Sequence, residues 1–440
     1  MWRRALISSV VAGVLGFGLG CGDDALRAGG ETGGEVDAQE TPDGVEDDGD
    51  GELVEAEVHT DVEPEVEPEV PGVSDVEPEV VPDVDTVEVD VSDVSEPDGD
   101  DGAEVASCLE SPRPFVGPSE PADWNRLSSR ITAAIGDPNH RAQDVIVQVG
   151  RPQVLIAKFA YGFIDKDISC EDVEVWIQRE VPCGAWEQLG VVQTTTDPGS
   201  DDCDNFGDRY GIEDDGGRVF FEIPEDRRLG VGRYPVRMVL RGDLEQARFD
   251  LIVVEPGTQA IITDVDGTLT TSDTELFTEV ALSIFNETYI QEMYGDADRM
   301  LEGWADKGYL IVYMSGRPDL LRQMSERWIE ARFPPGPIHL TDTNGQVLPT
   351  NAGVGTYKKE YIAYLRAQGL DIVAAYGNAT TDIWAYEQAG IPKDVTFIIG
   401  DHAGEENTQA LGASYTEHLP YVRSVPAATR PAPPARRGWW

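Results

Sequence analysis

Residues 260–270 read A-I-I-T-D-V-D-G-T-L-T, an apolar run that delivers two carboxylates, Asp264 and Asp266, onto a turn. Gly267 follows, free to take backbone angles other residues avoid, and with Thr268 it is expected to face a phosphate. A carboxylate at the carboxyl end of a parallel strand stands where open α/β sheets take ligands, and such an aspartate can attack phosphorus. Phosphoryl transfer from a monoester also needs a proton donor, cations around the phosphate and a magnesium ion. The chain supplies a candidate for each in order. Asp264 would attack, and Asp266 would protonate the leaving group and later activate water. Ser315 closes the apolar run 309–314 and would bind a phosphate oxygen, with Gly316 and Arg317 beside it. Lys358 would neutralise the phosphate; Lys359 is its rival. Asn378 and Asp382 would join Asp264 and Asp266 as hard oxygen ligands for Mg2+. Gly400, Asp401 and Glu405 imitate that metal motif one strand later and are a second choice.

These residues need a scaffold, and the pattern after Gly257 provides one. Strand signals at 260–263, 310–314, 372–376 and 396–399 alternate with helical signals at 297–307, 319–333, 358–368 and 381–389. That alternation predicts an α/β fold, a Rossmann-like parallel sheet covered by helices on both faces. About forty residues separate each motif from the next, too few for a large lid domain, although 275–294 could form a helical flap.

Between Cys108 and Pro256 the signals are short apolar runs divided by turn residues. Seven runs, at 145–149, 154–159, 173–177, 189–193, 219–223, 234–240 and 248–254, predict an immunoglobulin-like β-sandwich. Cys108, Cys170, Cys183 and Cys203 lie in this region and suit two disulfides in an oxidising compartment, with all three pairings open. The loop 197–215 is rich in carboxylates but lacks the ligand spacing of a calcium loop, which favours a solvated acidic loop. Ahead of the sandwich, Trp124, Leu127, Ile131 and Ile135 fall on one face of a helix. It either packs on the sandwich or lies in a membrane interface, helped by Arg126 and Arg130.

The chain has 440 residues and a formal net charge of -50. About 31 of those negative charges lie in 23–105, a Pro/Glu/Val-rich stretch expected to be a disordered acidic linker. Such a balance gives no general footprint for nucleic acid. Arg3 and Arg4 before an apolar stretch, ending at Gly20-Cys21, read as an export signal with Cys21 as a lipidation site. The expected divisions are 1–21 signal, 22–106 linker, 107–256 sandwich, 257–425 α/β domain and 426–440 disordered tail.

The motifs D-V-D-G-T-L-T-T-S-D (264–273), Y-M-S-G-R-P (313–318), Y-K (357–358) and A-Y-G-N-A-T-T-D-I-W-A-Y-E-Q-A-G-I-P (375–392) resemble the haloacid dehalogenase-like superfamily. More narrowly they resemble the catalytic domain of lipins, over about 140 residues. That resemblance implies a magnesium-dependent phosphatidate phosphatase working through an aspartyl phosphate, with Asp264, Asp266, Ser315 and Lys358 as catalytic residues. It also implies a lipid phosphate or other phosphomonoester as substrate. Combined with the signal, it places the protein in a bacterial cell envelope, anchored to a membrane through Cys21. The alternatives are a non-catalytic phosphatidate-binding surface lipoprotein and a phosphatase of soluble or polymeric phosphoesters.

Overall fold

The computed structural model describes residues 113–162, 164–271, 292–343 and 346–435. The signal with Cys21, the acidic linker, Cys108, most of the 275–294 flap and the final Trp439 and Trp440 lie outside the described residues.

All seven apolar runs of the first region form strands. Val145–Gln148, Gln246–Val254, Gly232–Leu240, Asp172–Gln178 and Trp186–Gln193 make a five-stranded sheet in that order. Arg141–Ala142, Val154–Lys158 and Arg218–Glu222 make a three-stranded one. Period-two alternation turns Val173, Val175 and Ile177 inward, where they meet Leu155, Val219, Met238 and Leu251 in one core. Cys170 pairs with Cys203, and Cys183 is also disulfide-bonded.

The acidic loop is not simply solvated. Asp214 is buried and accepts from the Thr195 hydroxyl at 2.6 Å and the Phe206 N–H at 2.8 Å. Asp215 binds Lys158 and Arg218, at 2.6 and 2.8 Å. These carboxylates hold the loop onto the sheet.

The second region is a six-stranded sheet, ordered Ile338–Thr341, Leu310–Pro318, Thr258–Asp264, Leu370–Gly377, Thr396–Ile398, Gln409–Ala410, with every pairing parallel. Alternate residues of its strands feed two cores. Ile261, Ile311, Tyr313 and Tyr376 pack with Met300 and Trp304 of helix Ala297–Ala305 and Ile329 of helix Arg322–Glu330. Ala260, Ile262, Val312 and Ile372 pack on the opposite face with helices Thr356–Ala367 and Thr380–Gln388. Ile146, Ile252 and Val254 of the sandwich belong to this second core.

Polar contacts reinforce the joint. Asp144 of the sandwich accepts from Asp250 N at 2.7 Å, from Arg322 at 2.7 Å and from Ile338 N at 2.8 Å. The Gln143 side chain bonds both the N–H and the C=O of Leu340, covering the edge strand that would otherwise stay open. The tail also differs from expectation through 435. Arg430 O accepts from Gln259 N, and the Ala428 and Ala432 N–H groups bond Lys307 and Gly308, so this Pro-rich segment is tied to the α/β domain.

A helix forms where the periodicity predicts, at Leu127–Ile135, but it begins after Trp124 and its face is not packed away. Leu127, Ile131 and Ile135 are 70%, 53% and 83% exposed, while Trp124 and Ala133 touch the sandwich core. No helix among the described residues is long and apolar enough to cross a membrane.

Candidate functional site

The motif residues converge at the carboxyl ends of three neighbouring strands. Thr258–Asp264 ends in Asp264 and leads into the turn with Asp266, Gly267 and Thr268. Gly267 has φ +69°, a left-handed angle that a side chain would resist, and its N–H bonds the Thr270 hydroxyl at 3.0 Å. Leu310–Pro318 carries Ser315, Gly316 and Arg317, and Leu370–Gly377 leads to Asn378.

Asp382 reaches the same place because it caps helix Thr380–Gln388. From the third helical position its Oδ2 reaches back to accept from the N-cap Ala379 N at 3.1 Å and from Asn378 N, just ahead of the helix, at 3.0 Å. Gly377 permits this fold-back, since a Cβ there would lie 2.6 Å from that of Asp382.

Lys358 sits between two carboxylates, 2.6 Å from Asp264 and 2.5 Å from Asp382. All three are buried. Burial opposes the charge on Lys358, but the two carboxylates hold its ammonium well above the ordinary range. Burial pushes the Asp264 carboxyl up to about 7, against the pull of Lys358 and helped by Asp382 and Asp266. The Thr268 hydroxyl lies within 3.1 Å of Asp264 Oδ2 and 3.0 Å of Asn378 Oδ1, and Tyr415 donates to Thr268 O at 2.9 Å. Lys359 lies outside this network, only partly buried, and Asp401 is exposed.

Asp266 is held separately. Arg317 forks onto it, with Nε 2.9 Å from Oδ2 and a terminal nitrogen 2.6 Å from Oδ1, and Ser315 donates to Oδ2 at 2.8 Å. Arg317 is 1% exposed and its other arm donates to Ser325 at 3.0 Å. The sequence placed Ser315 and Arg317 on a phosphate; in the structure both bond Asp266. Ser325 and Tyr415 were missed, since neither belongs to a local motif and only the packing of helix Arg322–Glu330 and the region after the last strand brings them in.

Each carboxylate oxygen of Asp264, Asp266 and Asp382 is thus already engaged, and the amide oxygen of Asn378 meets Thr268. No group of three or more His, Cys, Asp or Glu among the described residues is arranged to hold a metal ion. Lys358 lies between the carboxylates of Asp264 and Asp382 and bridges them.

Comparison with known proteins corrects the sequence-based identity. Residues 261–400 match the model of the PITM 1-3 LNS2 domain, and 138–200 with 208–253 match the PITM 1-3 beta-sandwich domain. Membrane-associated phosphatidylinositol transfer protein 1 of Rattus norvegicus is 30% identical over 71% of this chain and 23% of its own length. Protein retinal degeneration B of Drosophila melanogaster is 31% identical over 72% of this chain and 24% of its own. Membrane-associated phosphatidylinositol transfer protein 3 of Mus musculus is 30% identical over 69% and 28%. The chain therefore spans about a quarter of the length of the curated relatives it matches.

These similarities overturn the lipin assignment and, with it, the magnesium-dependent phosphatase activity: the rat and mouse relatives are named for lipid transfer, not hydrolysis. They also overturn the bacterial envelope lipoprotein, since the relatives are proteins of rat, mouse and fly, those of rat and mouse named as membrane-associated. The chain joins a β-sandwich of the PITM 1-3 kind to an α/β domain of the LNS2 kind, and its similarity lies with membrane-associated phosphatidylinositol transfer proteins.

Proposed function

We propose that this chain is a lipid-recognition module that works at a membrane surface and does not hydrolyse what it binds. The observation that carries the reading is helix Leu127–Ile135, which turns Leu127, Ile131 and Ile135 to solvent on one face. An amphipathic helix with an unburied aliphatic face is suited to the interfacial plane of a bilayer. The names of the relatives, membrane-associated and phosphatidylinositol transfer, point to a phosphatidylinositol-type headgroup as the lipid met there.

In this reading the sandwich is of immunoglobulin-like type and spans 107–256. The α/β domain, 257–425, is a haloacid dehalogenase-like core whose polar residues serve recognition and structure. The central position of Thr258–Asp264, with every motif at its end of the sheet, supports that assignment. Asp264, Lys358, Asn378 and Asp382 brace the floor of the site, Gly267 and Thr268 shape its turn, and Ser315, Gly316, Arg317 and Asp266 form the side at which a headgroup phosphate would arrive. Asp266 and Gly316 are the partly exposed members.

Flotation of the full chain with phosphatidylcholine vesicles, with and without phosphatidylinositol, tests the reading. Binding should require the helix face and strengthen with phosphatidylinositol. Replacing Leu127, Ile131 and Ile135 together by Ser should weaken it on the order of 100-fold, from the apolar area no longer buried. Unchanged binding by that variant, or cleavage of the bound lipid into headgroup and diacyl products, would refute the proposal.

A further inference from the structure

A second recess lies away from the strand ends, between helix Arg322–Glu330 and the large sandwich sheet. It encloses about 360 Å³. Five arginines line it: Arg233, Arg237, Arg248, Arg322 and Arg327. Four carboxylates share the walls, Asp144, Asp250, Glu326 and Glu330. In a chain of net charge -50, this cavity has one more cation than anions, five against four.

The pairing is uneven. Arg233 is bound to Asp250, and Arg322 to Asp144 at 2.7 Å with Glu326 at 3.8 Å. Arg237 is 8% exposed, yet among the described residues its Nε and one terminal nitrogen have no hydrogen-bond partner, and no carboxylate lies within ion-pair distance. Its guanidinium carbon lies 5.6 Å from the centre of the Trp186 ring.

The sheet register sharpens the anomaly. Arg237 stands directly opposite Arg248 on the antiparallel neighbour, and like charges in that position destabilise a sheet. Asp250, Glu326 and Glu330 act on Arg237 from a distance, but none bonds it, and a buried guanidinium without a hydrogen-bonded partner is costly.

We propose that this cavity is an anion site, in which Arg237, backed by Arg248 and Arg327, takes a phosphate carried on a small polar group. The volume suits a phosphate with a compact head and excludes a folded partner. An anion lying between Arg237 and Arg248 would remove the like-charge repulsion and supply acceptors for the two unbonded nitrogens. The site is distinct from the strand-end residues, so the inference stands or falls apart from the function proposed above.

The test is calorimetric titration of the full chain with inorganic phosphate, with inositol 1-phosphate, and with vesicles of phosphatidylcholine containing phosphatidylinositol. Binding of at least one probe should fall 10-fold or more in Arg237→Gln and in the exposed Arg248→Gln, and should weaken with added salt. Binding to the soluble phosphates identifies a free anion as the source; binding to vesicles alone identifies a lipid headgroup. Arg237→Met should raise the melting temperature of the free protein while abolishing binding, since it removes an unpaired buried charge. Arg237→Met melting below the parent while probe binding is retained, or the absence of any arginine-dependent binding, overturns the proposal.

Discussion

Arg317 and Asp266 form a forked ion pair across the turn that follows the central strand, with contacts of 2.6 and 2.9 Å and the guanidinium 1% exposed. This contact holds the Asp266 carboxylate in one orientation. The carboxylate that would have to shuttle a proton is fixed by a cation and by Ser315.

Breaking that pair from one side should be severe. Arg317→Ala leaves Asp266 partly buried without its counter-charge and should cost about 3–5 kcal/mol in urea unfolding. Adding Asp266→Leu should recover a substantial part of the loss, because the double variant has no stranded charge. Strictly additive effects would show that the two side chains do not depend on each other.

Lys358 gives a prediction with a pH sign. Lys358→Met leaves Asp264 and Asp382 buried without their shared ammonium, and should cost about 3–5 kcal/mol at neutral pH. Burial already pushes the Asp264 carboxyl up to about 7, above its unfolded value. A carboxyl whose folded pKa is raised favours folding below the unfolded pKa and loses that contribution as pH rises through the folded one. The variant should therefore recover stability on acidification from pH 7.5 to 5, relative to the parent. A pH-independent deficit would argue that Lys358 acts through packing alone.

His140 titrates in the other sense. It is 2% exposed, between the rings of Phe159 and Tyr161, and burial pulls its pKa down to about 3. The neutral form is favoured in the fold, so its contribution is fully present above about 6.5 and is lost as pH falls toward 3. By pH 5 the loss should reach about 2 kcal/mol, from the proton the unfolded chain takes up. His140→Phe should remove that component, so its stability relative to the parent should rise by about that amount between pH 8 and 5. Parallel stability profiles for the two proteins would count against it.

Much of the architecture was legible because it rests on local pattern. The seven sandwich runs and the four strands from Ala260 onward are long enough in Val, Ile and Leu to declare themselves, and the motifs at their ends fixed where the polar cluster would assemble. The strand Ile338–Thr341 was missed because it is short, follows Pro335 and Pro337, and contains His339. Gln409–Ala410 is a two-residue edge with both side chains exposed. What the chain alone concealed was partnership. Arg317 next to Ser315 reads equally well as a phosphate ligand or as the mate of Asp266, and only the distance between strands decides. Likewise the spacing of Leu127, Ile131 and Ile135 predicted a helix face without telling whether that face is covered.

Three residues, Glu255, Pro256 and Gly257, connect the last sandwich strand to the first strand of the α/β sheet. Ile146, Ile252 and Val254 lie in the same core as Ala260 and Ile262, and Asp144 ties both sides together. Swinging one domain against the other would tear that interior open, so the joint cannot serve as a hinge. If the exposed helix settles on a bilayer, the direction in which the strand ends face is therefore inherited from the landing, and orientation at the membrane becomes a property of the fold.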